Sequence, residues 1–173
     1  EGAGMVVLES EAHALARGAT IYGEVLGYGI TNDAYHVSAP LENGAGAVVC
    51  MRLALEQAHL RPQDIGYLNA HGTSTQLNDK SETAAVKTVF GESAYDLAIS
   101  STKSMTGHLL GAAGALEVVF CLKALADGML PPPSTTKTPT PSVTWITFRI
   151  PRGARLFSGP CRTRLGLAAT TPA

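Results

Sequence analysis

Residues 100–117 read Ser-Ser-Thr-Lys-Ser-Met-Thr-Gly-His-Leu-Leu-Gly-Ala-Ala-Gly-Ala-Leu-Glu. They connect a short apolar strand predicted at 97–100 to a helix predicted at 112–126. Small residues at the start of this helix allow it to pack closely against another backbone, which leaves Lys103 and His108 in the loop before it. In α/β sheets, ligands meet the protein at the carboxyl ends of the strands, so this loop is a candidate site of chemistry.

A second loop of the same kind lies earlier in the chain. Residues 69–75 read Asn-Ala-His-Gly-Thr-Ser-Thr and follow an apolar strand predicted at 65–70, so that a titratable ring stands beside several hydroxyl groups. His71 and His108 therefore each follow a predicted strand, and Lys103 is close to the second. We expect the two imidazoles and the ammonium group to converge on one pocket.

Strands and helices alternate along the chain as far as residue 128, which indicates an α/β layered architecture. The helices predicted at 43–60 and 112–126 are apolar around most of their circumference, so we expect both to be buried. The remaining predicted elements are strands at 5–8 and within 20–30, and helices at 11–17 and 79–90.

Composition excludes several classes of protein. The chain has 173 residues, of which 45% are hydrophobic and 16% charged, with a net charge of −1. Such a chain is neither intrinsically disordered nor a general binder of nucleic acid. It has no apolar run of the roughly 18 residues that a membrane span needs. The three cysteines show no pairing pattern, which favours a reducing compartment, the cytoplasm.

A metal site is the weaker interpretation of the histidine motifs. His71, His108, Asp79 and Glu82 could together bind an ion, but the sequence lacks a short paired-ligand spacing such as His-Glu-x-x-His. We therefore predict no metal.

A cysteine nucleophile is also disfavoured. Cys50 and Cys121 fall inside predicted apolar helices, where they behave as small hydrophobic residues. The other three histidines, His13, His36 and His59, have the polar or loop surroundings of structural or solvent-facing residues. The chain therefore contains no candidate nucleophile.

The two histidine motifs resemble those of the β-ketoacyl-acyl-carrier-protein synthases, most closely the type II, elongating enzymes of bacterial fatty acid synthesis. Modular polyketide ketosynthases share both motifs. The resemblance covers about residues 1–132. The residues that match the family's motifs are 32–40 (Asn-Asp-Ala-Tyr-His-Val-Ser-Ala-Pro), 69–75, 77–79 (Leu-Asn-Asp), Glu82 and 100–117.

This resemblance implies a thiolase-like fold, in which two similar halves pack as five layers, αβαβα. The chain resembles the C-terminal half, and the family's nucleophilic cysteine belongs to the other half. The implied activity is the decarboxylative Claisen condensation of malonyl-carrier protein with an acyl thioester. We expect the half alone to expose a sheet edge and an apolar helix face, and to be inactive by itself.

The resemblance also implies roles for the site residues. His71 and His108 map to the two family histidines, which donate hydrogen bonds to the malonyl thioester oxygen as neutral imidazoles. Lys103 maps to the lysine that orients and electrostatically supports the second histidine. Glu117 maps to an acid associated with that lysine, although a plain buried ion pair would explain the same residue.

Partners follow from the same resemblance. Thr73 and Thr75 map to hydroxyls that hydrogen-bond the phosphopantetheine arm of the acyl carrier protein, which is the implied partner. The intact family forms homodimers and needs no bound cofactor, nucleic acid or membrane. Two alternatives stay open: a polyketide ketosynthase fragment, and a non-catalytic thiolase-fold half that acts only through a partner chain.

Charge divides the chain near residue 128. All 14 acidic residues precede this position, whereas six of the 13 basic residues and eight of the ten prolines follow it. The change predicts a domain at 1–130 and an irregular, disordered tail at 131–173. A basic arm for an anionic partner is one explanation of the tail.

A shifted reading frame explains the tail better. In the shifted frame, each new codon consists of the third base of one residue's codon and the first two bases of the next residue's codon. Starting at Pro132, codons allowed by the genetic code then encode Thr-Ile-Asn-Tyr-Glu-Asn-Pro-Asp-Pro-Glu. Starting at Pro160, they can spell Leu-Ser-Asn-Ser-Phe-Gly-Phe-Gly-Gly-His-Asn-Ala. Both texts are similar to the end of the family, so we hypothesise a one-base loss or two-base gain near codon 132, which the coding DNA would reveal.

Overall fold

The computed structural model describes residues 1–37, 39–132 and the backbone of 164–165. Short 3₁₀ turns at Pro62–Asp64, Gly91–Tyr95 and Leu110–Ala112 connect the main elements. The helices are α1 (Glu11–Ala16), α2 (Ala45–Ala58), α3 (Gln76–Phe90), α4 (Lys103–Thr106) and α5 (Ala113–Asp127). The strands are β1 (Glu24–Val25), β2 (Tyr67–Asn69), β3 (Ala98–Ser100) and β4 (Arg164–Leu165).

Side-chain caps and glycine set the helix ends. The Ser10 hydroxyl accepts a hydrogen bond from the backbone N–H of His13 at the start of α1. Thr75 caps α3 in the same way, by accepting from the N–H of Asn78. Helix α5 ends at Gly128, whose left-handed backbone conformation terminates the helix.

A β2–α3–β3 unit positions the two histidine loops. The two strands are parallel and in register, with Tyr67 opposite Ala98 and Asn69 opposite Ser100. Because the strands are parallel, their carboxyl ends lie at one edge of the sheet. The loops that follow Asn69 and Ser100 therefore begin side by side, as the sequence predicts.

The main core lies between α2, α3 and β3. Its buried residues come from α2, from α3 and from the segment between α3 and β3, where Leu97 is 1% exposed, and the partly buried Ile99 of β3 packs against them. The start of α2 approaches α3 closely, since a Cβ at Gly44 would contact the Ser81 carbonyl oxygen. The full cluster is Val48, Met51, Ala85, Val86, Phe90, Ala94 and Leu97.

Two of the predicted features are wrong in the described chain. Residues 5–8 form no strand, and Met5 and Val7 are 93% and 86% exposed. Helix α2 is buried on one face only, with Val49 and Leu53 exposed on the other. An apolar pattern predicts burial, but burial also needs a partner surface, and the described residues supply none at these positions. This agrees with the exposed apolar face expected of a half-fold.

The β-rich stretch predicted at 20–30 forms only the two-residue strand β1. Its glycines mark a close approach to α2, because a Cβ at Gly29 would overlap the Cys50 backbone. Strand β1 pairs in parallel with β4, with Glu24 opposite Arg164 and Val25 opposite Leu165. The rest of the predicted tail, 133–163 and 166–173, lies outside the described residues.

Candidate active site

The structure brings the rings of His71 and His108 together. Their centroids are 5.2 Å apart and their planes are almost perpendicular, at 85°. His71 is half-buried and His108 is exposed, so the pair lies at the surface of the described chain with one ring deeper than the other. A single small acceptor can therefore approach both rings.

Backbone geometry sets the tautomer of His108. Its Nδ1 accepts a hydrogen bond from the backbone N–H of Leu110 at 3.1 Å. An accepting Nδ1 carries no proton, so in the neutral ring the proton is on Nε2, which becomes the donor. Leu110 has a φ of +52°, a left-handed conformation that costs a non-glycine residue roughly 1–2 kcal/mol. The local strain and the hydrogen bond occur at the same residue, as is common at functional sites.

The surroundings of His71 favour its neutral form. Burial, followed by the Lys103 cation, lowers the pKa of His71 from its ordinary value of 6.5, and the Glu82 carboxylate opposes this shift. A neutral imidazole keeps one N–H donor. Both rings can therefore present donors without carrying charge.

Lys103 and Glu117 form an ion pair, and both of its charges act on His71. The Lys103 Nζ is 2.5 Å from Glu117 Oε1, and the two side chains are 5% and 21% exposed. Lys103 begins α4 and Glu117 lies in α5, so the pair connects the loop after β3 to the helix that follows it. The carboxylate neutralises a cation that would otherwise be buried alone.

Two residues connect the histidine loops to the scaffold. Glu82 of α3 accepts hydrogen bonds from the backbone N–H groups of His71 and Gly72. The Ser101 hydroxyl donates to the His71 carbonyl oxygen and accepts from the Lys103 N–H, both at 3.3 Å. The sequence does not reveal these roles: Glu82 appears there only as matching text and as a candidate metal ligand. Its position eleven residues after His71, on the helix that the loop enters, is the one available signal.

The two threonines have different environments. Thr75 is the N-cap of α3, so its hydroxyl already accepts from Asn78. Thr73 is half-buried and shares a hydrogen bond with Thr75 at 3.1 Å. Thr73 is thus the more available of the two for an outside partner.

Neither described cysteine is an activated nucleophile. The Cys50 thiol is buried and donates to the Gly29 carbonyl oxygen at 3.0 Å. Burial raises the pKa of Cys121 to about 11, so the thiolate is scarce near neutral pH. Cys161 lies outside the described residues.

Within 1–37 and 39–132, no group of three or more His, Cys, Asp or Glu side chains could hold a metal ion, and no helix is long and apolar enough to span a membrane.

Replacing Gly72 by alanine should destabilise the chain by about 2–5 kcal/mol. The residue has a φ of +47°, which costs alanine about 1–2 kcal/mol, and the new Cβ would overlap the Ser101 side chain, which adds an overpacking cost of about 1–3 kcal/mol. Gly128→Ala is the matched control, because Gly128 has a left-handed backbone with a φ of +63° and open space around it. Urea unfolding measures both variants, and equal losses would contradict the contact with Ser101.

Comparison with known proteins identifies the family. The family model of the β-ketoacyl synthase C-terminal domain matches residues 22–137. The 3-oxoacyl-[acyl-carrier-protein] synthase 2 proteins of Synechocystis sp. and Staphylococcus aureus are each 50% identical over 141 residues, 82% of this chain. The chain spans about a third of the length of these relatives, 34% and 35% respectively.

Solved structures agree with the sequence matches. The ishigamide ketosynthase/chain length factor has a TM-score of 0.75 and 41% identity, covering 80% of this chain and 34% of the other. A complex of a type II PKS acyl-carrier protein with its ketosynthase, bound to the hexaketide, has the same score and identity over 78% of this chain and 33% of the other. A β-ketoacyl synthase from Burkholderia phymatum has a TM-score of 0.64 and 42% identity, and the match covers 69% of this chain and 28% of the other.

The fold is thus the thiolase-like α/β fold of the ketosynthases, as the sequence predicts. The chain belongs to the β-ketoacyl synthase family and carries its C-terminal domain. The match to the family model ends at residue 137, close to the boundary at which the charge changes.

Proposed function

We propose that this domain stabilises the enolate formed when malonyl-carrier protein loses carbon dioxide, within a 3-oxoacyl-acyl-carrier-protein synthase of fatty acid synthesis. The observation that carries this proposal is the pair of imidazole rings 5.2 Å apart, one held as its Nε2–H tautomer and the other held neutral. Two neutral donors suit an oxygen that becomes negative only as the reaction proceeds.

The chemistry has two steps. The bond between the malonyl carboxylate and its α-carbon breaks, and the electron pair passes through that carbon to the thioester oxygen, where His71 and His108 donate hydrogen bonds. The α-carbon of the enolate then attacks an acyl thioester, and the thiolate of that thioester leaves. In the family this thiolate belongs to a cysteine of the N-terminal half.

In this proposal Lys103 and Glu117 act on His71, whose pKa both of them shift. The Lys103 side chain is almost fully buried, and its positive charge lowers the pKa of His71. Glu117 holds the ammonium in place and limits the cost of burying it. Lys103 therefore favours the neutral form of His71.

The substrate partner is an acyl carrier protein with a phosphopantetheine arm. Thr73 is the stronger candidate for contact with this arm, since the Thr75 hydroxyl already caps α3. We assign fatty acid synthesis over polyketide synthesis because the matched fatty acid synthases are 50% identical, against 41% for the ketosynthase complexes. We also propose that the whole protein is a homodimer in the cytoplasm. The absence of a cysteine pairing pattern supports that compartment.

A complementation assay tests this function. The chain alone should not decarboxylate malonyl-carrier protein, whereas the chain mixed with the N-terminal half of the Synechocystis relative should release carbon dioxide. The matched control is the N-terminal half by itself. Failure of the mixture, with both halves shown to be folded and associated, would contradict the enzymatic role and favour the non-catalytic half.

A further inference from the structure

The Glu82 carboxylate lies against the backbone of the first histidine loop. Its Oε1 accepts from the N–H of His71 at 2.7 Å, and its Oε2 accepts from the N–H of Gly72 at 2.9 Å. The Asn78 side-chain amide donates to Oε2 as well, at 3.1 Å. Both carboxylate oxygens are therefore engaged with groups of the loop or of the helix that follows it.

The loop is shaped to receive this carboxylate. Gly72 adopts a left-handed backbone with a φ of +47°, so two successive N–H groups converge on one anion. Hydrogen bonds to a charged acceptor are roughly twice as strong as neutral ones. On the opposite side, the Ser101 hydroxyl holds the His71 carbonyl oxygen. The peptide groups on both sides of the His71 Cα are thus fixed.

Fixing the His71 backbone fixes its Cα–Cβ bond, and with it the set of positions that the ring can reach through its rotamers. The donor atoms of a catalytic pair must lie within a few tenths of an ångström of their productive positions, and a misplacement of about 1 Å can reduce a rate about 100-fold. We propose that Glu82 is a positioning residue: its carboxylate clamps the His71–Gly72 backbone and so aims the His71 ring at the oxygen shared with His108. This inference rests on the proposed function only for its effect on rate.

A purely electrostatic role is the competing explanation. The negative charge of Glu82 raises the pKa of His71, against burial and Lys103. Removing the charge would therefore lower the His71 pKa further and extend the neutral form to lower pH. The Glu82→Gln substitution keeps the shape of the side chain but replaces one acceptor oxygen with an NH₂ donor. The positioning role and the electrostatic role predict different results for this variant.

The test uses the full chain, labelled with ¹⁵N. In Glu82→Gln, the His71 and Gly72 amide protons should exchange with solvent at least about tenfold faster, while the Val86 amide of α3 keeps its native rate. In the complementation assay, kcat should fall about 100-fold at every pH, with the shape of the pH profile unchanged. Glu92→Gln removes the same charge from an exposed position and should change neither readout.

Unchanged exchange at His71 and Gly72 would overturn the proposal, as would a pH profile that moves to lower pH at constant maximal rate. If Glu82→Gln does not fold, the native chain provides the test. Its His71 and Gly72 amide protons should exchange with solvent more slowly than the amide proton of the exposed Ser74, and equal rates would overturn the clamp. Exchange needs no activity, so the clamp and the proposed function can fail separately.

Discussion

Replacing either His71 or His108 by alanine is expected to lower the rate of malonyl-carrier-protein decarboxylation about 100- to 1000-fold in the complementation assay. Loss of one donor from a site that stabilises an oxyanion typically has this effect. Since the two rings share one acceptor in our account, the double variant should lose little more than the worse single variant. His13→Ala is the control, because His13 is exposed and its ring pairs with the Glu9 carboxylate.

The pH dependence gives a second check on the same pair. Catalysis requires neutral rings, so activity should be constant above the His71 pKa and fall as the pH drops through it. Since that pKa is lowered from 6.5, the fall attributable to His71 should begin below the pH at which an ordinary histidine titrates. A rate that rises as the pH drops would mean that an imidazolium acts as an acid, contrary to the proposal.

The Glu117→Gln substitution should destabilise the chain by about 3 kcal/mol. Removing one partner of a buried ion pair typically costs about 3–5 kcal/mol, and the lower end applies because Glu117 is 21% exposed. Asp127→Asn is the matched control: its partner Lys123 is 62% exposed, and such pairs contribute under about 1 kcal/mol. Urea unfolding of the two variants gives the comparison.

A double substitution separates stability from function at this pair. Replacing a buried ion pair by apolar residues of similar size is often neutral for stability. Lys103→Met combined with Glu117→Leu should therefore recover most of the stability lost in Glu117→Gln, but it should not recover decarboxylation. Recovery of both would reduce the pair to a structural role, the alternative that the sequence leaves open.

Local sequence patterns were sufficient to predict the β2–α3–β3 unit. Short apolar runs followed by glycine and hydroxyl residues mark the ends of β2 and β3, and the parallel crossover then requires both loops to share one edge. The proximity of His71 and His108 follows from that topology. Their catalytic roles remain a proposal, because proximity does not measure chemistry.

Other features depend on contacts that a sequence does not contain. The apolar run at 5–8 and the outer face of α2 have the composition of buried elements, yet no described surface covers them. The bonds from Glu82 back to the preceding loop require the exact turn at Gly72, and the left-handed backbone of Leu110 has no local sequence signal. These contacts position the histidines, and the sequence alone does not predict them.

The contact between the His71 and His108 rings is the claim on which the proposed chemistry depends. A nuclear Overhauser experiment on the full chain, with ¹³C-labelled histidine, measures it directly. Rings with centroids 5.2 Å apart should give a cross-peak between their carbon-bound protons, whereas the exposed His13 should give none to either ring. Absence of the cross-peak in the folded chain would contradict the shared site.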